Sequence, residues 1–397
     1  MELKLDTRKW RRRSGMAKLL DALGADEGLT RYVGGAVRDD LLGLPVSDVD
    51  LATRLRPDQV VERLQAAGIK AVPTGFEHGT VTAVSDGHPY EVTTLRRDVE
   101  THGRRATVVF TDDWQADAAR RDFTINALMA DPASGEVFDY FDGLADLDQR
   151  HVRFIGDPFE RIAEDHLRIL RFFRFHARFG RGEPDAPALE ACTARANDLM
   201  ALSRERIADE LLKLLGVDDP SPTVQVMLDR GILKPVLPEI GPAAAKALAA
   251  LVRAEAQSGI EPDSLRRLTA LLPRDPELAA AIAVRLKLSN RARKRVACAA
   301  DPTLAPGPHA IAYRYGVPCA VDRLLLAGET APAKAVSDWK PPRLPISGGV
   351  LIKRGLTEGP LVSRTLRRIE NRWIAAGFPD GATFDAIVAD ALAESLR

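Results

Sequence analysis

Asp48 and Asp50 are two carboxylates one residue apart, at the end of the stretch YVGGAVRDDLLGLPVSDVDLAT, residues 32–53. The alternation of polar and apolar residues from Asp48 to Thr53 predicts a half-buried strand. In a strand, residues i and i+2 face the same side, so both acids aim together while Val49 turns into the core. Like charges so placed repel and raise each other's pKa, and a cation between them removes that cost. All-oxygen ligation suits Mg²⁺, which keeps several waters and shares phosphate oxygens with a substrate. Glu91 alternates with Val92 on a neighbouring strand and is a candidate third carboxylate. Acids holding metal can activate an attacking hydroxyl and stabilise a leaving pyrophosphate. Asp-x-Asp also occurs at ordinary strand ends, and a glutamate on a hairpin is by default solvated.

The elements around the acids sharpen the reading. Tyr32-Val33 reads as a strand, Gly34-Gly35 as a tight turn and Ala36 to Leu42 as a short helix. Such a turn lets backbone N–H groups approach an anion. Arg38, about one helical turn on, can add charge-assisted hydrogen bonds to phosphate. A strand, a glycine pair, a helix and then Asp-x-Asp together look built for a metal–triphosphate complex. Pro57 is placed as the first residue of a helix running to Gly68. GTVTAVSDGHPYEVTTLRRD, from Gly79, reads as a hairpin turning at Asp86-Gly87. Arg97 to Ala106 is polar and charged and reads as a mobile loop before a strand, Val108 to Phe110. From Asp112 helical periodicity dominates, broken by Pro and Gly near 217–222, 236–242, 302–308 and 341–349. The fold class is therefore α+β, a mixed head to about residue 150 and a long helical remainder.

A chain of 397 residues is too long for one ordinary domain. Its formal net charge is zero, so any nucleic-acid contact must come from local basic patches. Cys192, Cys298 and Cys319 lie far apart, which argues against a zinc site or disulfide framework and fits a reducing compartment. The basic start, MELKLDTRKWRRRSG, has no apolar h-region, and no later run is long enough to span a bilayer. The expectation is a cytoplasmic protein that does not enter membranes.

Four ordered segments carry a resemblance: GGAVRDDLLGLPVSDVDLAT, RRDFTINAL (120–128), EDHLRILRFFRF (164–175) and SRERIADELLKLL (203–215). Together they resemble the class II tRNA nucleotidyltransferase and bacterial poly(A) polymerase family, within the polymerase-β-like nucleotidyltransferase superfamily. The resemblance implies a nucleotidyltransferase head over 1–150, a helical neck that recognises the base over 151–216, and an RNA-binding body and tail over 217–397. It implies addition of CCA to the tRNA 3′ end from CTP and ATP, with Mg²⁺ as cofactor and tRNA as partner, by a monomer. Poly(A) polymerase shares every head motif, and CC-adding or A-adding enzymes share the scaffold, so these alternatives stay open. Carried over by motif, Asp48 and Asp50 would be the metal ligands. Gly34, Gly35, Arg38 and Arg121 would meet the nucleotide, and Asp165, Arg168, Arg171 and Arg174 would line its pocket.

The third segment makes chemical sense by itself. On one helix, Asp165 and Arg168 are neighbours at i and i+3. The aspartate only accepts hydrogen bonds and the arginine only donates. Cytosine and adenine both present an amino donor beside a ring-nitrogen acceptor, whereas uracil and guanine present a carbonyl beside an N–H. The pair therefore matches C and A. Arg171 continues the same face toward a triphosphate. The bland reading is an amphipathic helix with Leu167, Leu170 and Phe173 inward and its charges solvated. For RNA, the first basic stripe is VRLKLSNRARKRV, where Ser289 can cap a helix carrying Arg291, Arg293, Lys294 and Arg295. The second is Lys353-Arg354 with Arg364, Arg367, Arg368 and Arg372.

Overall fold

Nine strands lie among the described residues, all in the first part of the chain: β1 Thr30–Val33, β2 Asp50–Thr53, β3 Lys70–Gly75, β4 Thr80–Ser85, β5 His88–Thr94, β6 Arg96–His102, β7 Arg105–Phe110, β8 Met129–Ala130 and β9 Val137–Phe138. The computed structural model describes residues 4–102, 105–357 and 359–396, giving only the backbone of 98–102 and 105–108. The chain divides into two compact units, Met1–Leu214 with Asp229–Val236 and Leu215–Leu228 with Leu237–Arg397.

In the first unit seven strands form one mixed sheet in the order β3-β4-β5-β2-β1-β8-β9. β2 lies between β1, its antiparallel neighbour, and β5, its parallel one. The β4–β5 hairpin closes at Asp86-Gly87, both at positive φ (50° and 80°), the twist that suits a two-residue turn. Two expectations are corrected here. Residues 97–106 are not a loop but belong to a paired hairpin, β6–β7, with Gly103 and Arg104 outside the described residues. The charges there mask a β-branched content, Val99, Thr101, Thr107, Val108 and Val109, that favours strand. β8 and β9 fall beyond Asp112, in the stretch expected to be helical. Strands of two residues are too short to show a period.

The sheet packs through Val33, Ala52, Leu95, Trp114, Ala127, Met129 and Ile155. A run of aromatics continues this core: Phe123 lies 4.9 Å from Phe154 and 5.1 Å from Phe175, centroid to centroid. Those rings fix the Arg168–Phe179 helix against the segment that holds Asp122.

The second unit is helical among its described residues. One apolar cluster gathers Leu251, Ile311, Val321, Leu324 and Val336; another gathers Leu351, Ile369, Trp373, Phe384 and Val388. Between helices runs a buried ionic network. Asp322 accepts from Arg266 at 2.8 Å and Arg295 at 2.7 Å, and Glu255 accepts from Arg266 at 2.7 Å and Arg267 at 2.8 Å. The cysteine expectation is also corrected: Cys298 and Cys319 form a disulfide, their Cα atoms 6.0 Å apart. Helices Asn290–Ala300 and Val317–Leu326 pack side by side and close a separation of 21 residues that spacing alone does not reveal. Cys192 is buried and unbridged. Among the described residues no helix is long and apolar enough to cross a membrane.

Candidate active site

A cavity of about 660 Å³ opens in the first unit. Its lining includes Asp50 and Glu91, the Gly34-Gly35 turn with Arg38 and Arg121, and Asp165, Arg168, Arg171 and Arg206. The sequence separates these groups by more than a hundred residues; the sheet and the neighbouring helices bring them together.

The acidic wall follows from strand register. Leu51 pairs with Val92 across the parallel β2–β5 contact, so Asp50 and Glu91 each sit one residue ahead on neighbouring strands. Asp48 stands outside the strand, which begins at Asp50 rather than at Asp48. The physical reason is that Val33, the last residue of β1, already pairs with Asp50, and Gly34 then turns away. Val49 is nevertheless buried and Asp48 exposed, as the alternation predicts. The Asp50 carboxyl is pushed above its ordinary value, first because protein mass displaces its water, then by the charges of Glu91 and Asp48; Arg121 pulls the other way. Among the described residues no three His, Cys, Asp or Glu side chains converge as a ready metal cage. The three acids are therefore coupled electrostatically rather than already closed around a point.

Gly34 has φ 70°, and a Cβ there would meet the Arg121 guanidinium at 3.2 Å. Its own N–H donates to the Leu128 carbonyl at 3.0 Å, so it ties the turn to the segment before β8 instead of facing an anion. Arg38 is buried. It donates to Asp39 at 2.8 and 2.6 Å and to Asn126, with its guanidinium 4.1 Å from the Phe179 ring centroid. It lines the cavity, but its charge is largely balanced within the protein. Arg121 is held by buried Asp117 at 3.2 Å, which also holds Arg120 at 2.8 Å. The Arg121 Nε is buried without a partner.

The segment of Asp165 and Arg168 departs from the expected single helix. One helix, Pro158–Glu164, ends at Asp165, whose backbone is extended, and the next begins at Arg168. The Asp165 side chain breaks the helix by accepting from the Leu167 N–H at 3.2 Å, the competition that aspartates offer to helical bonding. Asp165 and Arg168 still line the same cavity, but their side chains do not pair. Asp165 accepts from Arg206 at 2.7 Å, and Arg168 donates to Glu164 and to the Arg161 carbonyl.

Arg171 is bound to Asp122, and Arg174 donates to buried Glu210 at 2.6 Å. Burial alone would raise the Asp122 carboxyl; Arg171, Asn126 and the Phe123 N–H outweigh it and hold it below its ordinary value. Arg171 reaches the cavity edge, while Arg174 is absent from the lining and its guanidinium lies 4.4 Å from the Phe175 ring centroid. Arg206 and Asn126 line the cavity without being singled out by the sequence as site residues. Arg206 lies inside the SRERIADELLKLL segment, so its presence was legible and its contact was not.

In the second unit Ser289 caps the Asn290–Ala300 helix as expected. Arg295, expected to face RNA, is consumed by Asp322 and by Asp263 at 2.9 Å. Arg293 donates to the Leu288 carbonyl at 2.6 Å, which leaves Arg291 and Lys294 as the exposed cations of the Asn290–Ala300 helix.

Comparison with known proteins decides the family. The description "Poly A polymerase head domain" matches residues 30–153, and "Probable RNA and SrmB-binding site of polymerase A" matches residues 184–243. The mouse protein named CCA tRNA nucleotidyltransferase 1, mitochondrial (Mus musculus), is 36% identical over 383 residues, covering 92% of this chain and 87% of its own length. The human protein of that name (Homo sapiens) is 34% identical over the same shares. The chain belongs to the CCA tRNA nucleotidyltransferase family. Solved structures share the fold of these nucleotidyltransferases. The Bacillus stearothermophilus CCA-adding enzyme in complex with CTP superposes with a TM-score of 0.70 at 23% identity, covering 96% of this chain and 99% of that one. The Thermotoga maritima CCA-adding enzyme complexed with tRNA_CCA superposes with a TM-score of 0.71 at 22% identity, covering 99% and 100%.

Proposed function

We propose that this nucleotidyltransferase adds C, C and A in turn to the 3′ end of tRNA, taking CTP and ATP and releasing pyrophosphate without a nucleic-acid template. One observation carries the reading: a single cavity is lined both by carboxylates from β2 and β5 and by an acceptor, Asp165, and a donor, Arg168. Relatives that match almost the full chain bear the CCA name.

The donor set fits Mg²⁺, since every candidate ligand is a carboxylate and a dication would offset both the lost hydration and the repulsion from Glu91 and Asp48 that raise the Asp50 pKa. Asp48 and Asp50 would hold it, with Glu91 adjoining; when bound it would supply polarisation of the phosphate and activation of the primer hydroxyl. The chain's own residues orient the nucleotide. Arg121 offers charge beside the glycine turn. Asp165 accepts from the amino group of C or A, and Arg168 donates to the adjoining ring nitrogen. Uracil or guanine would face acceptor with acceptor and donor with donor, leaving buried groups unpaired at about 1–3 kcal/mol each. We read the enzyme as a cytoplasmic monomer, with Arg291 and Lys294 among its contacts to tRNA phosphates.

The name of the matched head domain keeps poly(A) addition as a second reading. Purified protein given Mg²⁺, one NTP at a time and tRNAs ending before the first C, after CC or complete separates the two. C incorporation on the first and a single A on the second are expected. Long A tails, or no incorporation by folded protein, would overturn the proposal.

A further inference from the structure

Charged side chains near the base-reading wall form two separate groups, Asp165 with Arg206, and Glu164 with Arg168 and Arg161. The Asp165 Oδ2 accepts from Nη2 of Arg206, on the Arg204–Leu215 helix, at 2.7 Å. Arg168 donates from Nη1 to Glu164 and, at 2.9 Å, to the Arg161 carbonyl. Asp165, Arg168 and Arg206 all line the cavity.

The competing arrangement is direct pairing between Asp165 and Arg168. Opposite charges three residues apart attract, and a carboxylate–guanidinium pair is among the stronger polar contacts. Were the two to pair, each would satisfy the other, and an incoming base would have to break that contact before being read. The structure avoids this by giving each a different partner. A carboxylate offers about four lone-pair sites, so an oxygen anchored by Arg206 still leaves Asp165 able to accept from a base amino group. Arg168 keeps Nη2, whose one hydrogen bond among the described residues is a long 3.4 Å approach to the Arg120 carbonyl.

We infer that Arg206 is a positioning residue for base selection: it anchors Asp165 toward the cavity and prevents its collapse onto Arg168. The inference rests on the reading that Asp165 and Arg168 address the base edge. Arg206 acts through Asp165 and needs no contact with the nucleotide. A lysine there would supply charge without the fixed guanidinium fork, so it would restore the anchor only in part.

The test compares kcat/KM for CTP against UTP on tRNA ending before the first C, and for ATP against GTP on tRNA ending in CC. The proteins are the parent, Arg206→Ala, Arg206→Lys, Asp165→Asn and the Arg206→Ala/Asp165→Asn double variant. Arg206→Ala should lower both preferences by about ten-fold or more, with Arg206→Lys between it and the parent. The double variant should be no less selective than Asp165→Asn alone, because the two changes remove one device. If Arg206→Ala fails to fold, Arg206→Lys decides: an unchanged preference overturns the inference. An unchanged preference in Arg206→Ala beside a lost one in Asp165→Asn also overturns it and leaves the base-edge reading standing. A double variant worse than either single change would assign Arg206 a direct nucleotide contact instead. Retained preference in Asp165→Asn would remove the base-edge reading and this inference together.

Discussion

Asp50 and Glu91 stand on adjacent parallel strands, each one residue ahead of the paired Leu51 and Val92. No local motif joins them, since they lie 41 positions apart in the chain. The sheet order, which inserts β2 between β1 and β5, brings them to one wall. Replacing Asp50 with Asn should reduce nucleotide incorporation at least about 100-fold, the scale of removing one transition-state stabilising group. Binding of tRNA, measured by filter retention, should be unchanged. Near-normal turnover would take Asp50 out of the chemistry.

The separate pairing of Asp165 and Arg168 changes what a charge reversal should do. Asp165→Arg would set a guanidinium against Arg206, and Arg168→Asp a carboxylate against Glu164. We expect the double reversal to melt at a lower temperature than the parent rather than simply to exchange base preference. Differential scanning calorimetry checks this, and an unchanged melting temperature would contradict the two-pair arrangement.

Asp122 and Arg171 give a pH dependence with a definite sign. The folded-state pKa of Asp122 is depressed: burial opposes ionisation, but Arg171 and the Asn126 and Phe123 hydrogen bonds prevail. Its stabilisation is therefore complete above the unfolded carboxylate pKa and is lost as pH falls through the lower folded value. Asp122→Asn should flatten the acid limb of the stability–pH curve. At neutral pH it should cost about 2–3 kcal/mol, discounted from the roughly 3–5 of a fully buried pair because Arg171 is 31% exposed. Urea unfolding at several pH values measures both.

Within the basic stripe of the second unit, neighbouring residues should behave differently. Arg295→Ala leaves buried Asp322 short of a partner and should lower stability. Arg291→Ala with Lys294→Ala should leave stability alone and weaken tRNA binding. The slope of log K against log salt should fall by about 0.7–0.9 for each phosphate that is no longer neutralised. Equal effects of the two changes on melting would contradict this division.

These cases show what sequence can carry. The Gly34-Gly35 turn and the inward Val49 were legible because turns and strand alternation are local. The strand start at Asp50 was not, because it depends on where β1 runs out of partners. The helix break at Asp165 left a local sign, an aspartate able to take its own backbone N–H, but the resemblance of the whole segment to one amphipathic helix hid it. Arg206, Arg295 and the Cys298–Cys319 bridge depend on which helices pack together, and no spacing along the chain records that. The β6–β7 hairpin was concealed by its charges, which outweighed its β-branched residues in a reading by polarity.

The central claim is that one cavity serves both nucleotides. Titrating the protein with CTP by calorimetry, alone and in the presence of ATP, tests it most directly. The expected result is one CTP per chain, displaced competitively by ATP, with both affinities reduced in Asp165→Asn. Simultaneous binding of CTP and ATP at two independent sites would contradict it.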